Sequence, residues 1–343
     1  MGKSSKSKFV VVLIACVFIG MLPGSTGWGA ALPEQDLNDR QFIQPTTRSE
    51  TQMGVEYDWF ELAAEQSPGF RFAVIGDYGS DSEAEADVAT LVKSWSPDII
   101  VTTGDNNYND GSAGTIDKNI GKYYREFIYP YKGSFGDGAQ VNRFFPSLGN
   151  HDWNTPDAQP YLDYFTLPGN ERYYDFTWGA VHFFVIDSDN DEPDGNEWDS
   201  TQGDWLKSQM ASSIYPWKVV FMHHPPYSSG HHGSQEWMQW PFADWGADVV
   251  LAGHDHTYER ISPSDDILYF VNGLGGKSIY EFPDMVEGSQ VRYNEDYGAM
   301  LVDVSIGKIR FRFINRLEEV IDDFDLVKPF SYSYLPLLNK KAP

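Results

Sequence analysis

Asp248-Val249-Val250-Leu251-Ala252-Gly253-His254-Asp255-His256 is a short apolar run that stops on a glycine and two histidines two residues apart. Four apolar residues, Val249 to Ala252, bounded by turn chemistry read as a buried strand. In extended backbone, residues i and i+2 point to the same side, so His254 and His256 are expected to face one site at the strand's carboxyl end. Gly253 permits a sharp turn there and the close approach of another group. Four earlier apolar runs end the same way: Gly76-Asp77-Tyr78-Gly79, Gly104-Asp105-Asn106-Asn107-Tyr108, Gly149-Asn150-His151-Asp152 and Val220-Phe221-Met222-His223. Strand ends that gather carboxylate, imidazole, amide and phenol groups are the pattern of an α/β protein with its site at the carboxyl edge of a sheet.

The rest of the chain fits that reading. Phe70–Ile75, Ile99–Val101 and Phe144–Leu148 are expected strands. Glu83–Trp95 has helical spacing, an acidic first turn and Pro97 just beyond it, and Ile116–Ile128 is read as a second helix. Tyr173–Trp178 and Val181–Ile186 flank Gly179-Ala180 as a hairpin, and Trp205–Met210 is a short helix. Val219–Met222, Val249–Ala252, Ile267–Val271 and Met300–Phe313 complete the strands. Residues 69–316 are expected to form one domain, with no internal linker or repeat. Residues 32–68 form a polar N-terminal segment and 317–343 a tail without an assignment.

Composition narrows the function. The chain has 50 acidic and 25 basic residues, a formal charge of −25, which argues against nucleic acid or an anionic membrane surface as partner. A phosphate-bearing ligand must then be drawn in by a local positive site. Lys3, Lys6 and Lys8 precede the apolar run Phe9–Leu22 and small residues to Ala31, so 1–31 reads as a secretory signal peptide rather than a stable membrane span. A secreted or periplasmic location follows; lipid anchoring through Cys16 in Leu13-Ile14-Ala15-Cys16 is the alternative. Cys16 is the only cysteine, so the mature chain forms no internal disulfide. With no thiolate on offer, a cysteine-type zinc site is excluded, and the donors suit hard or borderline ions. Their number exceeds the needs of one tetrahedral ion and points to two.

The five blocks GDYG, GDNNY, GNHD, VFMH and GHDH occur in the order seen in the calcineurin-like metallophosphoesterases, and the sequence most resembles the purple acid phosphatases. Tyr108 in GDNNY marks that subgroup. The size resembles the small form, whereas His254–Arg260, HDHTYER, is closer to the plant type. The cysteine pair of small animal forms is missing, so redox regulation does not carry over. The resemblance implies a four-layer αββα sandwich of two mixed β-sheets flanked by helices. It gives one metal Asp77, Tyr108 and His256 and the other Asn150, His223 and His254, with Asp105 bridging. Fe(III) beside a divalent Fe, Zn or Mn is implied, because a phenol with a pKa near 10 needs a strong Lewis acid to bind as phenolate in acid. The implied reaction is hydrolysis of phosphate monoesters, a metal-bound hydroxide attacking phosphorus in line. His151 and His232 match non-ligand positions that serve the transition state, with His231 as a candidate to share the role. An ordinary histidine pKa of about 6.5 makes both cationic in acid.

The rival functions are a phosphodiesterase of the same superfamily and a secreted metal- or phosphate-binding protein without catalysis. Of the remaining motif residues, His224 is read as a neighbour of the site rather than a ligand, and His182 as a structural strand residue. Asp187–Asp194, which lacks the glycine of a calcium loop, is read as a solvated loop near the site mouth. Trp237, Trp240 and Trp245 are read as core.

Overall fold

A computed structural model describes residues 69–328 apart from 265–266. The expected signal peptide, Cys16, residues 32–68 and the end of the tail lie outside the described residues. The strands are β1 Phe70–Ile75, β2 Ile99–Thr102, β3 Phe144–Pro146, β4 Tyr174–Trp178, β5 Val181–Val185, β6 Trp217–Phe221, β7 Val249–Ala252, β8 Tyr258–Ile261, β9 Leu268–Asn272, β10 Ser289–Tyr293, β11 Gly298–Val304, β12 Lys308–Asn315 and β13 Val320–Val327. They form two sheets, β13-β12-β11-β1-β2-β3 and β10-β8-β9-β7-β6-β5-β4. Both are mixed. β1, β2 and β3 run parallel, as do β5, β6, β7 and β9, while the outer strands pair antiparallel. All the strand ends that carry motif residues belong to the parallel sets, so they open toward one edge of the molecule.

The sheets pack face to face through aromatic side chains. Phe72 meets Phe183 edge-on at 5.2 Å, Phe145 stacks on Phe176 at 3.7 Å and Tyr258 stacks on Phe313 at 4.1 Å. Helix α1, Glu83–Ser94, covers the first sheet through Leu91 against Leu301 and Ile314. It begins where the sequence indicated: Ser82 caps the Glu85 N–H, and the Glu85 carboxylate reaches back to the N–H groups of Ser80 and Asp81. On the far side, Leu206 and Met210 of a helix at Thr201–Ser212 and Phe242 pack on Phe184, Val220 and Val250 of the second sheet. The αββα sandwich expected from the sequence is the observed architecture. Trp240 is buried and Trp237 and Trp245 pack around it, as core. No described helix is long and apolar enough to cross a membrane.

Three regions differ from expectation. The stretch Ile116–Ile128 is not one helix but a π turn, a single α turn and a 3-10 turn in succession. Asp117 opens the π turn, its backbone oxygen accepting the Lys122 N–H, while its carboxylate accepts from Tyr131 Oη at 2.6 Å and from the Ser134 N–H at 2.8 Å. The tail is partly sheet: β13 forms the edge of the first sheet beyond Arg316 and pairs with β12 along its length. Asp187–Asp194 is a loop solvated only in part: Asn190, Asp191 and Pro193 are exposed, but its flanks are tied inward. Asp187 and Glu192 are buried, Arg172 clamps Glu192 at 2.8 and 3.1 Å and Asp194 at 3.0 Å, and Trp153 donates to Asp187 at 2.9 Å.

Candidate metal centre

Each motif sits where a strand breaks into a turn. Asp77, Asp105 and His254 all take positive φ. Non-glycine residues seldom adopt that conformation, and where they do it clusters at functional sites. His254 and His256 therefore do not share a face of extended backbone, as the sequence pattern suggested. Tight turns, with Asp255 N–H on Gly253 O at 2.8 Å and Thr257 N–H on Asp255 O at 2.7 Å, send them to two halves of one cluster. Gly253 serves as expected: a Cβ there would lie 2.6 Å from Asp77 Oδ2.

One half of the cluster gathers Asp77, Tyr108 and His256. The Tyr108 hydroxyl lies 2.7 Å from Asp105 Oδ2, 3.2 Å from Asp77 Oδ1 and 3.2 Å from His256 Nε2. His256 Nε2 is 3.3 Å from Asp77 Oδ1, and its Nδ1 meets Ser278 Oγ at 2.6 Å. The other half gathers Asn150, His223 and His254. His223 Nε2 is 3.0 Å from Asn150 Oδ1 and 3.2 Å from His254 Nδ1. Asp105 faces both halves, Oδ2 toward Tyr108 and Oδ1 toward His223 Nε2 at 3.5 Å. All seven residues singled out as ligands are brought together. Among the described residues, two sets offer ligand atoms within 4.8 Å of one another: Asp77, Asp105 and His223, and His223, His224 and His254.

The proton inventory shows what the cluster can hold. His223 Nδ1 donates to the Thr103 carbonyl at 2.8 Å. A neutral ring so fixed turns a lone pair from Nε2 toward the acceptor oxygen of Asn150. Asp77 and Asp105 are buried, and no Lys or Arg among the described residues forms an ion pair with either. Burial pushes the Asp77 carboxyl well above its ordinary range. The pull on Asp105 from burial is outweighed by His223, His151 and hydrogen bonds, which hold it low. Burial and the two carboxylates push the Tyr108 phenol far up. A ring lone pair turned toward the Asn150 oxygen beside two buried carboxylates fits a site for positive ions.

The non-ligand histidines line its rim. His151 Nδ1 donates to the Asn109 carbonyl at 2.5 Å, leaving Nε2 free at 3.9 Å from Asp105 Oδ2. The ring of His232 stacks on His254 at 4.2 Å, and His231 meets His232 at 5.3 Å and Tyr280 at 5.6 Å. Desolvation against these neighbours pushes His232 below the ordinary histidine value despite the Asp255 carboxylate, so it takes its proton in more acid solution than the sequence suggested. His224 hydrogen-bonds Ser188 Oγ through Nδ1 at 2.9 Å and packs on His254; burial pushes it down to about 3. His182 lies between Asp175 at 2.7 Å and Ser213 at 2.9 Å, away from this cluster in a structural role.

A family model of the calcineurin-like phosphoesterases matches residues 70–258, more than half of the chain. The chain is a calcineurin-like phosphoesterase. It is similar to purple acid phosphatase 17 of Arabidopsis thaliana, 25% identical over 260 residues that cover 65% of this chain and 73% of the relative. It is also similar to tartrate-resistant acid phosphatase type 5 of Homo sapiens, 24% identical over 259 residues, 62% of this chain and 75% of the relative. In fold it resembles purple acid phosphatase PPD1 from yellow lupin seeds, with a TM-score of 0.63, 17% identity, and coverage of 81% and 56%. It likewise resembles GAP50, the anchor in the inner membrane complex of Plasmodium, with a TM-score of 0.61, 19% identity, and coverage of 79% and 95%.

Sequence reading missed several residues of this phosphoesterase site. Tyr280 stacks on His256 at 4.1 Å, Lys277 holds Asn109 Oδ1 at 2.6 Å with its ammonium 4.6 Å above the Tyr108 ring, and Ser278 holds His256. All follow Gly273-Leu274-Gly275-Gly276, a turn after β9. That glycine-rich strand end was the one signal to be read, but it carries no metal-type donor.

Proposed function

We infer that the chain is an acid phosphatase that hydrolyses phosphate monoesters to an alcohol and inorganic phosphate. The observation that carries the reading is the meeting of Asp77, Asp105, Tyr108 and His256 with Asn150, His223 and His254 in one cluster short of positive charge. Asp77, Tyr108 and His256 would hold one cation, Asn150, His223 and His254 the other, and Asp105 both. Fe(III) for the first, with divalent Fe, Zn or Mn for the second, suits a phenolate beside carboxylates and an amide beside imidazoles. When bound, such a pair supplies Lewis acidity toward phosphoryl oxygens and toward an attacking water.

The chain's own side chains do the rest. His151 and His232 face the cluster with ring nitrogens available to bind phosphoryl oxygens or to give a proton to the leaving alkoxide, and His231 can assist at the rim. With the Nδ1 proton of His151 committed to Asn109, Nε2 is the nitrogen that can take up or release a proton. Lys277 adds a permanent positive charge beside Tyr108, which helps an acidic chain admit a phosphate ester. The N-terminal signal sequence supports action outside the cytoplasm, in secretion or a periplasm.

Rates with aryl phosphate monoesters and diesters on the metal-loaded protein test the reading. Faster monoester hydrolysis is expected; faster diester hydrolysis assigns the chain to the phosphodiesterases instead. A non-catalytic role is the second reading, favoured by the likeness to a chain described as an anchor. Retention of His151 and His232 speaks against it, because holding metals requires neither. His151→Ala should lose most turnover with its metals retained; full turnover in that variant removes the assigned role.

A further inference from the structure

Asp255, the middle residue of GHDH, points away from the ligand cluster. It is buried, and none of the ion pairs among the described residues involves it. Its two oxygens both serve the loop that carries His231 and His232. Oδ1 accepts the His232 N–H at 2.7 Å and Oδ2 accepts the Ser228 hydroxyl at 2.5 Å; the Ser228 oxygen in turn accepts the Gly230 N–H at 2.9 Å. The loop wraps so closely that a Cβ on Gly230 would lie 2.5 Å from Asp255 Cγ. Only glycine permits that approach. Beneath it, Glu259 anchors Ser229 through both N–H and hydroxyl, at 2.7 and 2.6 Å. The result is a ring of His232 seated on His254, the residue next to Asp255 in sequence.

We propose that Asp255 is a positioning residue for the reaction, acting through His232. Its carboxylate ties the turn that delivers His254 and His256 to the loop that delivers His232, so the rim histidine and the ligand cluster keep one fixed spacing. This rests on the phosphatase reading above for its kinetic test, and not for its binding test. A charged acceptor buried with two matched donors is among the stronger hydrogen-bonding arrangements, and a histidine placed an ångström away loses most of its catalytic effect.

The test is a double-mutant cycle on the metal-loaded full chain with Asp255→Val, His232→Ala and both together, reading kcat, KM, bound metal and affinity for inorganic phosphate by calorimetry. His232→Ala is expected to lower kcat about 100-fold. Asp255→Val, similar in size but without acceptors, should approach that loss with bound metal unchanged. It should add less than about 3-fold when His232 is already alanine, the signature of residues acting as one unit. Asp255→Asn keeps an acceptor for the His232 N–H and should recover kcat to within about 5-fold. If Asp255→Val does not fold, Ser228→Ala, which loosens the same carboxylate, takes its place with the same non-additivity expected. Independent, multiplying losses in the cycle, or unchanged kcat in Asp255→Val, overturn the proposal. If the wild-type chain hydrolyses no monoester, the phosphatase reading fails alone; the cycle in phosphate affinity then decides the positioning role by the same criterion.

Discussion

Replacing Asp322 with alanine isolates the contribution of β13. Asp322 accepts Arg260 Nε at 2.7 Å, Arg260 Nη2 at 3.2 Å and Tyr258 Oη at 2.8 Å, all three residues being buried. This is a two-pronged ion pair joining the C-terminal edge of one sheet to the strand that follows GHDH in the other. Removal of one member of a buried pair costs about 3–5 kcal/mol, because the remaining charge stays desolvated. Arg260 retains Gln290 Oε1 at 2.5 Å and the Phe324 ring at 4.4 Å, which places the loss near the lower end. The orphaned Tyr258 hydroxyl adds roughly 1 kcal/mol. A net loss of about 4 kcal/mol corresponds to a fall in Tm of about 10 °C for a domain of this size. The neighbouring Asp323 is the internal control. It pairs with Arg310 Nε at 2.7 Å, but both side chains are largely exposed. Asp323→Ala should therefore cost no more than about 1 kcal/mol. Urea and thermal unfolding of the two variants give the comparison. Equal, small effects would refute the claim that β13 belongs to the folded domain through this pair.

Two further outcomes follow from the electrostatics of the site. Lys277→Met should raise KM for a phosphate monoester about 3- to 10-fold with little change in kcat, and the difference should shrink at high salt; a loss confined to kcat would give Lys277 a different role. Burial pushes His224 down to about 3. From about pH 6.5 downward the unfolded chain thus takes up a proton that the native ring refuses. The metal-free protein should lose stability as pH falls through that window, by at most about 1.4 kcal/mol per unit from this group. His224→Gln should flatten the slope in urea midpoints measured from neutral pH down into the acid range; parallel slopes would contradict it.

The strand ends were readable because their chemistry is local: an apolar run followed by glycine and a metal-type donor needs no knowledge of the partner strand. Helix α1 was readable for the same reason, its cap and acidic first turn lying within a few residues. What stayed hidden depends on distant partners. β13 reads as an acidic stretch, Val320 to Val327, until Arg260 supplies the charge that turns Asp322 inward. The 116–128 segment has helical spacing and runs in helical turns, but the change from π to α to 3-10 geometry along it leaves no mark in that spacing. The left-handed His254 was hidden by its apolar strand, although the two histidines were placed at the right site. Asp255 and Lys277 carry no signal of their own, since one acidic residue among 50 and one basic among 25 stand out only once their neighbours are known.

The central claim is that Asp105 joins two halves of one cation-binding cluster. Elemental analysis of the loaded, dialysed wild-type protein and of Asp105→Ala tests it most directly. Two ions per wild-type chain and no more than one in Asp105→Ala are expected; a single ion in the wild type, or both retained in the variant, would contradict it.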